Sequence, residues 1–387
     1  MYGEKILDKK DFKILITGAK GFVGKNLYYH LIENGYTNIF RTDIDTSEVE
    51  LEDYVINCDL IYNLAGVNRP KDATEFNNNS TYLDNIINIL IENNKSTPIM
   101  LSSSIQSDLD NPYGRSKKDA ENILIDYSKK QNAYCFIYKF PNIFGKWSKP
   151  NYNSAVATFC YNISRNLDIV INDKNAKLSL VYIDDVVDEL LKIADNYVIK
   201  SNDKYSISKY YYNVDCVYDT TVGYIADKIY SFRNSRTDYF IPNMEPESLD
   251  KKLYSTYLSF LDVNNFKYQL DMHIDDRGSF TEILKTINFG QFSVNIIKPG
   301  ITKGNHYHHS KNEKFLVVSG KVLIRFRKID SDDIIDYEVS DEKLEVVDIP
   351  PGYTHNIKNI GDTDAAVFMW ANEILDKNNQ DTYYLNV

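Results

Sequence analysis

Apolar residues along this chain recur in short blocks whose period changes once, well past the middle. Residues 13–17 form a brief β-branched run closed by glycines, and residues 22–34 then take helical spacing, with Phe22, Val23, Leu27 and Leu31 on one stripe. The alternation continues. It predicts strands at 38–42, 60–64, 98–101 and 133–139, and helices at 80–93 and 113–130. Strands alternating with helices of this length imply a parallel, doubly wound α/β sheet of Rossmann type. From about Tyr254 the texture becomes short alternating runs, 292–297, 314–318, 322–327, 344–348 and 366–370, separated by Gly, Pro and Asp turns. That spacing reads as an antiparallel sandwich or barrel. A chain of 387 residues exceeds what one core usually organises. Two domains are expected, 1–250 and 251–387, with the break in 243–253, where Pro246 and a charged cluster interrupt both patterns.

Charge narrows the partners. Lys and Arg number 44 against 55 Asp and Glu, a net charge of -11, which excludes a nucleic-acid backbone as the main partner. No window approaches the unbroken apolar length of a membrane span, and residues 4–13 are charged where a signal peptide would be apolar, so no membrane partner and a cytoplasmic location are expected. Cys58, Cys135, Cys160 and Cys216 are scattered without a CxxC pair and read as reduced core residues, those at 58 and 135 in buried strands.

Two groups of residues carry chemistry. Gly18-x2-Gly21-x2-Gly24 lies between the first strand and the first helix, where glycines let backbone amides approach a pyrophosphate at a helix N-terminus. After the second strand, Asp43 would accept a ribose 2'-hydroxyl and Arg41 would hold a 2'-phosphate, so the sequence points to both NADH and NADPH. The strand ending at Leu101 runs into Ser102, Ser103 and Ser104, and Tyr113 and Lys117, four apart, share one face of the next helix. An ammonium beside a phenol lowers the phenol's pKa, so the pair can exchange a proton with a carbonyl while a serine holds the oxygen. In the second half, His306, His308, Glu313 and His355 supply three imidazoles and a carboxylate, a set that suits Zn, Fe, Mn or Ni, with Zn taken as the metal. On a strand His306 and His308 would point to one face, Glu313 would follow a turn, and His355 would arrive from a neighbouring hairpin. His309 has no assigned partner and reads as solvated.

The first half resembles the extended short-chain dehydrogenase/reductase family over about residues 12–245. The resemblance rests on Thr17-Gly-Ala-Lys-Gly-Phe-Val-Gly24, Leu64-Ala65-Gly66, the serine run, Tyr113-x3-Lys117, Pro141-Asn-Ile-Phe-Gly145 and Tyr182-Ile-Asp-Asp-Val186. It implies that Ser104 (Ser103 close behind), Tyr113 and Lys117 are catalytic. It also implies that Gly18, Gly21, Phe22, Val23, Gly24, Leu64, Ala65 and Gly66 surround the nicotinamide cofactor, and that Lys139, Asn142 and Arg165 lie near a nucleotide sugar. Gly300-x5-His306-x-His308-x4-Glu313-x6-Gly320 and Pro350-x-Gly352-x2-His355-x3-Asn359 match the two motifs of the cupin family, with Leu344 where that family usually has glycine. The resemblance implies an all-β jelly-roll barrel over about residues 262–387. Residues 275–282 look like a strand-opening element of sugar-nucleotide cupins, which would put Arg277 near substrate.

A reductase of this type joined to a cupin resembles the fused enzymes of capsular-polysaccharide synthesis, a likeness that includes residues 147–154 and 254–259. That resemblance implies a UDP-linked 4-keto sugar, epimerised at C3 by the cupin and reduced at C4 by the first domain, in a homodimer. Glu282, Lys303, Lys314 and Tyr307 are the candidates to move the C3 proton. A plain reductase whose cupin only binds metal and assembles subunits is the alternative.

Overall fold

The structure, a computed structural model, describes residues 8–68, 70, 72–198, 205–375 and 381–387. It divides into two compact units, one running to residue 229 with 255–261, the other covering 230–254 with 262–387.

In the first unit the order is β1 (Ile14–Thr17), α1 (Phe22–Glu33), β2 (Ile39–Thr42), α2 (Glu48–Asn57), β3 (Leu60–Asn63), α3 (Asn78–Glu92), β4 (Ile99–Ser104), α4 (Pro112–Gln131) and β5 (Cys135–Phe140). There follow β6 (Asn142–Phe144), α5 (Ala155–Ser164), β7 (Lys177–Tyr182), α6 (Ile183–Val198), β8 (Tyr211–Tyr212) and β9 (Val217–Thr221). A six-stranded sheet runs β2-β1-β3-β4-β5-β8 with every pair parallel. Its central strands β1 and β3 are buried along their whole length because both faces are covered. Ile14, Ile16, Leu60, Tyr62, Met100, Phe136 and Tyr138 enter one core with α1 and α6, whereas Leu15, Ile61, Ile99, Leu101 and Ile137 enter another with α2, α3 and α4. Helix α6 seats Val186, Val187, Leu190, Leu191 and Ala194 on the first of these cores, and Asp184 and Asp185 in its first turn complement the helix dipole. Strands β6, β7 and β9 form a separate small sheet.

Helices α7 (Val222–Asn234) and α8 (Leu249–Ser259) carry the chain across the divisions between units. The break expected at 250 falls inside α8, and the change of texture expected at Tyr254 begins only beyond it. The prolines there punctuate a loop, but Leu253 and Tyr257 are buried on a helix that continues past them.

The second unit contains β10 (Met272–Asp275), β11 (Gly278–Thr286), β12 (Gly290–Ile297), β13 (Thr302–Tyr307), β14 (Glu313–Ser319), β15 (Lys321–Lys328), β16 (Ile334–Ser340), β17 (Val346–Ile349), β18 (Tyr353–Asn359), β19 (Ala365–Ala371) and β20 (Tyr383–Tyr384). They build two antiparallel sheets, β10-β11-β12-β19-β14-β17 and β16-β15-β18-β13-β20, a cupin-like architecture. The core draws from both: Ile297, Phe315, Val317, Ile349 and Val367 from the first sheet, Val322, Ile324, Phe326 and Ile357 from the second. Leu344, where a glycine was expected, is 65% exposed in a loop without positive φ, so no glycine is needed there.

None of the four cysteines forms a disulfide. Cys135 lies on β5, but Cys58 is the buried C-cap of α2 rather than part of a strand, Cys160 is on α5, and Cys216 is only half-buried. Among the described residues no helix is long and apolar enough to cross a membrane.

Candidate active site and metal centre

Strand β1 delivers the chain to Gly18, whose φ of +64° lies in the left-handed region that favours glycine. Helix α1 starts with Gly21 as N-cap and no side-chain hydrogen bond to its first turn, which leaves those amides for an anionic ligand. A Cβ on Gly24 would come 2.4 Å from the Gly18 oxygen, and one on Gly18 would come 2.9 Å from the Ala65 backbone. The glycine turn and the Leu64-Ala65-Gly66 segment therefore touch backbone to backbone. Thr17 joins them: its Oγ1 donates to Asn63 Oδ1 (2.8 Å) and accepts from the Leu64 and Ala65 amides (3.2 and 3.1 Å). Phe22 and Val23 pack partly buried against the core below. Such a cradle fits a dinucleotide. At its rim Asp43 accepts from the Lys20 amide at 2.9 Å, while the exposed Arg41 lies 4.3 Å over the Tyr28 ring with its guanidinium at the surface.

Helix α4 begins on the turn that follows β4. Asn111 caps it by accepting from the Gly114 amide, and a Cβ on Gly114 would meet the Gln106 oxygen at 2.3 Å. This close docking brings the Tyr113 phenol to Ser104. Burial raises the phenol's pKa, and the hydrogen bond with Ser104 counters it. Lys117, one turn on, is 6% exposed; its Nζ donates to the Ser102 carbonyl at 2.9 Å and lies 5.9 Å from the Tyr113 ring centre. Burial lowers its pKa to about 8, against the opposing charge of Glu121. A Cβ on Gly66 would come 3.3 Å from that ammonium, so the cradle and the proton-transfer group adjoin. Ser103, the neighbour of Ser104, points elsewhere: its Oγ donates to the fully buried Glu121 at 2.5 Å. Successive residues of a strand face opposite sides, and only one of the two serines can meet the phenol.

The sugar candidates are less convergent. Asn142 is exposed and donates to the Ser179 carbonyl at 3.3 Å, and Lys139 pairs with Asp108 at 2.6 Å. Arg165 ends α5 with its guanidinium 3.8 Å over the Tyr161 ring and donating to the Phe260 carbonyl at 2.7 Å. That guanidinium is committed to holding the chain at Phe260.

In the second unit His306 stands on β13 opposite His355 on β18, just after a bulge where Asn305 adopts φ +63°. Glu313 opens β14, and His308 follows the end of β13 rather than sharing its face, as alternation had implied. One ligand atom from each of the four lies within 4.8 Å of the others. His308 Nε2 and His355 Nε2 are each 3.5 Å from Glu313 Oε2, and none of these three buried atoms has a hydrogen-bond partner among the described residues. A buried polar atom left unmatched costs about 1–3 kcal/mol, so three together fit a cation that would satisfy them at once. Burial alone would raise Glu313, but His308 and His355 outweigh it and hold the carboxyl well below its usual range; burial lowers His306 to about 4. On the far side, His308 Nδ1 donates to the Asp381 carbonyl at 2.5 Å. The Asp381 carboxylate accepts from the amides of His309, Ser310 and Lys311, which outweigh burial and keep it ionised well below the usual carboxylate range. His309 is exposed yet ringed by Tyr307 and Tyr383 (5.4 and 4.8 Å between centres), so it has aromatic neighbours that sequence reading did not foresee.

A cavity of about 310 Å³ opens over His306, Glu313 and His355, with Arg277 and Lys303 in its wall. Arg277 is steered by Asp275, its Nε and Nη2 donating to one carboxylate oxygen at 3.0 and 2.6 Å. Of the four proton-moving candidates only Lys303 reaches this cavity. Glu282 pairs with Lys285, Lys314 with Asp348, and Tyr307 stacks on Tyr383. The wall also includes His273 and Asn295, which sequence reading missed. Asn295 left a signal: it is a buried polar residue at an inward position of β12 between Ser293 and Ile297.

Residues 14–208 match the model of the NAD dependent epimerase/dehydratase family, and residues 273–383 match the polysaccharide biosynthesis C-terminal domain. The chain is 43% identical over 378 residues, 97% of its own length and 99% of the other, to the UDP-2-acetamido-2,6-beta-L-arabino-hexul-4-ose reductase of Pseudomonas aeruginosa. It is 50% identical to the capsular polysaccharide assembling protein CapF from Staphylococcus aureus, with a TM-score of 0.86 over 97% of this chain and 100% of that one. A UDP-N-acetylglucosamine 4-epimerase from Bacillus cereus, 19% identical with a TM-score of 0.52 over 67% of this chain and 98% of that one, shares the fold over the matched part. The protein belongs to the NAD dependent epimerase/dehydratase family, with a polysaccharide biosynthesis C-terminal domain as its second part.

Proposed function

We propose that this chain is a UDP-sugar reductase that also epimerises its substrate: the cupin cavity inverts C3 of a UDP-linked 4-keto-6-deoxy-N-acetylhexosamine, and the first unit reduces C4. The product would be UDP-2-acetamido-2,6-dideoxy-L-talose, made for capsule or surface polysaccharide by a cytoplasmic homodimer. The observation that carries the reading is the meeting of Ser104, Tyr113 and Lys117 beside Gly66, at the mouth of a glycine cradle, in a chain 43% identical to a hexulose reductase.

A bound nicotinamide supplies hydride to C4. Tyr113 gives the C4 oxygen its proton, Ser104 orients that oxygen, and Lys117, charged at neutral pH, eases proton loss from the phenol. NADPH is favoured over NADH because Asp43 is engaged by the Lys20 amide whereas the Arg41 guanidinium faces solvent at the ribose end. In the second unit His306, His308, Glu313 and His355 would hold a divalent ion, Zn by ligand type, which polarises a carbonyl when bound. Lys303 donates to Asn295 Oδ1 (2.7 Å), the Ile296 carbonyl (3.0 Å) and the Ser279 carbonyl (3.4 Å). With its donors so used it serves as a fixed cation facing the enolate rather than as the base. Arg277 would meet the diphosphate.

The competing reading is a metal that only braces the barrel, favoured by the burial of His308 and His355 to 1% each. Deuterium exchange separates them. With Tyr113→Phe, NADPH oxidation falls at least about 100-fold while deuterium from D2O still enters C3; His306→Ala stops that exchange. Exchange that survives in metal-free protein would remove the metal from the chemistry, and its loss in Tyr113→Phe would remove the division into two sites.

A further inference from the structure

The metal reading accounts for four ligands but not for the residue that grips one of them from behind. We propose that Asp381 is a positioning residue for the metal centre: its main-chain carbonyl sets the tautomer of His308, and its carboxylate fixes the stretch of chain that follows this ligand. The inference rests on the reading of His306, His308, Glu313 and His355 as a metal site.

His308 is 1% exposed, so its ring cannot turn to water for a second partner. Its Nδ1 meets the Asp381 carbonyl at 2.5 Å; a carbonyl only accepts, so Nδ1 carries the proton and Nε2 presents its lone pair toward Glu313 Oε2, 3.5 Å away. The same residue holds the other side of the ligand. Its Oδ1 accepts from the His309 amide at 2.9 Å, and its Oδ2 accepts from the Ser310 amide (2.7 Å), the Ser310 hydroxyl (2.9 Å) and the Lys311 amide (2.8 Å). Three consecutive amides immediately after His308 thus converge on one carboxylate. The stretch beyond Asp381 extends the grip. Thr382 accepts from the buried Lys311 ammonium at 2.7 Å, β20 pairs Tyr384 with His306, and the Leu385 amide donates to the Asn305 carbonyl at 3.0 Å. Ring orientation and lone-pair direction govern how well an imidazole binds a cation, and partners on the far nitrogen of a ligand histidine typically carry about 10- to 100-fold of metal affinity.

The test is Zn2+ affinity of the metal-free full-length chain, measured against a competing chelator, together with the visible spectrum of the Co2+-loaded protein. Asp381→Ala keeps the main-chain carbonyl but releases the three amides after His308, so the segment that presses that carbonyl onto Nδ1 is no longer held; it should weaken Zn2+ about 10- to 100-fold and alter the Co2+ bands. Asp381→Asn, which keeps one side-chain acceptor oxygen, should fall between; Ser310→Ala, which removes one hydroxyl and leaves all three amides bound, should stay within about threefold. A residue that merely stabilised the loop would lower the melting temperature of the metal-free protein and leave affinity and spectrum as they are. Wild-type affinity, within twofold, in folded Asp381→Ala overturns the inference; if that variant does not fold, unchanged affinity and spectrum in Asp381→Asn overturn it equally. Wild-type protein that takes up no Zn2+ would instead bring down the metal reading beneath it.

Discussion

Replacing Lys117 with methionine should abolish reduction and yet make the first unit more stable at neutral pH. The ammonium is 6% exposed, and burial, its main perturbation, lowers its pKa from 10.5 to about 8. That difference corresponds to about 3 kcal/mol spent on holding the charge in the folded state at pH 7. The direction follows from proton counting. Between pH 8 and 10.5 the unfolded chain binds more protons than the folded one, so stability rises with pH through that window, and below pH 8 the penalty is fully present. Methionine removes the charge at similar length and gives up the hydrogen bond to the Ser102 carbonyl, worth about 1–2 kcal/mol. Glu121 keeps Lys118 at 3.2 Å and Tyr211 at 3.1 Å, so it is not stranded. The expected net gain is about 1–2 kcal/mol at pH 7, or roughly 3–6 °C in melting temperature for a unit of this size, reversing to a loss of about 1–2 kcal/mol by pH 10.5, where the charge penalty has gone and the hydrogen bond is still missing. Urea unfolding at both pH values, followed by Trp147 fluorescence in a Trp370→Phe background, reads the first unit alone, since the chain has only two tryptophans. A variant less stable than wild type at pH 7, or a difference that ignores pH, would refute the argument.

Gly24→Ala forces a Cβ to 2.4 Å from a backbone oxygen, so calorimetry should show NADPH binding weakened at least about tenfold, with Gly21→Ala, at 3.0 Å from the same oxygen, milder. Arg41→Ala should weaken NADPH binding about tenfold or more while leaving NADH within about twofold, a ratio readable from the KM values of both cofactors. In metal-free protein His306 has its pKa held near 4 by burial, below the usual 6.5, so its contribution to stability is complete above pH 6.5 and is lost as pH falls toward 4. Melting followed by Trp370 should show that loss, and added Zn2+ should move it to lower pH; a flat profile would count against the buried neutral imidazole.

Much of the first unit is legible because its signals are local. The β-branched run, the glycine turn and the stripe of α1 occupy twenty consecutive positions, and the boundaries of β1, α1, α4 and β5 fall within two residues of those read from periodicity. Helix α2 shows the limit. Its capping box, Ser47 with Glu50, is plain in the structure, but a segment with four acidic residues in ten and only Leu51 and Val55 buried presents too short a stripe to read. Strand β18 starts directly after Pro350-x-Gly352 and carries His355, in keeping with the hairpin expected there. The two blocks that bring His306, His308, Glu313 and His355 together could be named from spacing alone, because residue type decides which side chains are able to ligate a cation, whatever the fold around them.

Residue types and turn chemistry were therefore settled in the linear chain: glycines at the cradle, a tyrosine and lysine one helical turn apart, three imidazoles with a carboxylate. Packing and register decided the rest. They turned Ser104 toward the phenol and Ser103 toward Glu121, tied Arg165 to the Phe260 carbonyl, put Asn295 and His273 into the cavity of the second unit, and laid Asp381 against a histidine 73 positions earlier. No local period encodes such meetings, since they depend on which strands pair and in what register, and those choices minimise the free energy of the folded unit as a whole.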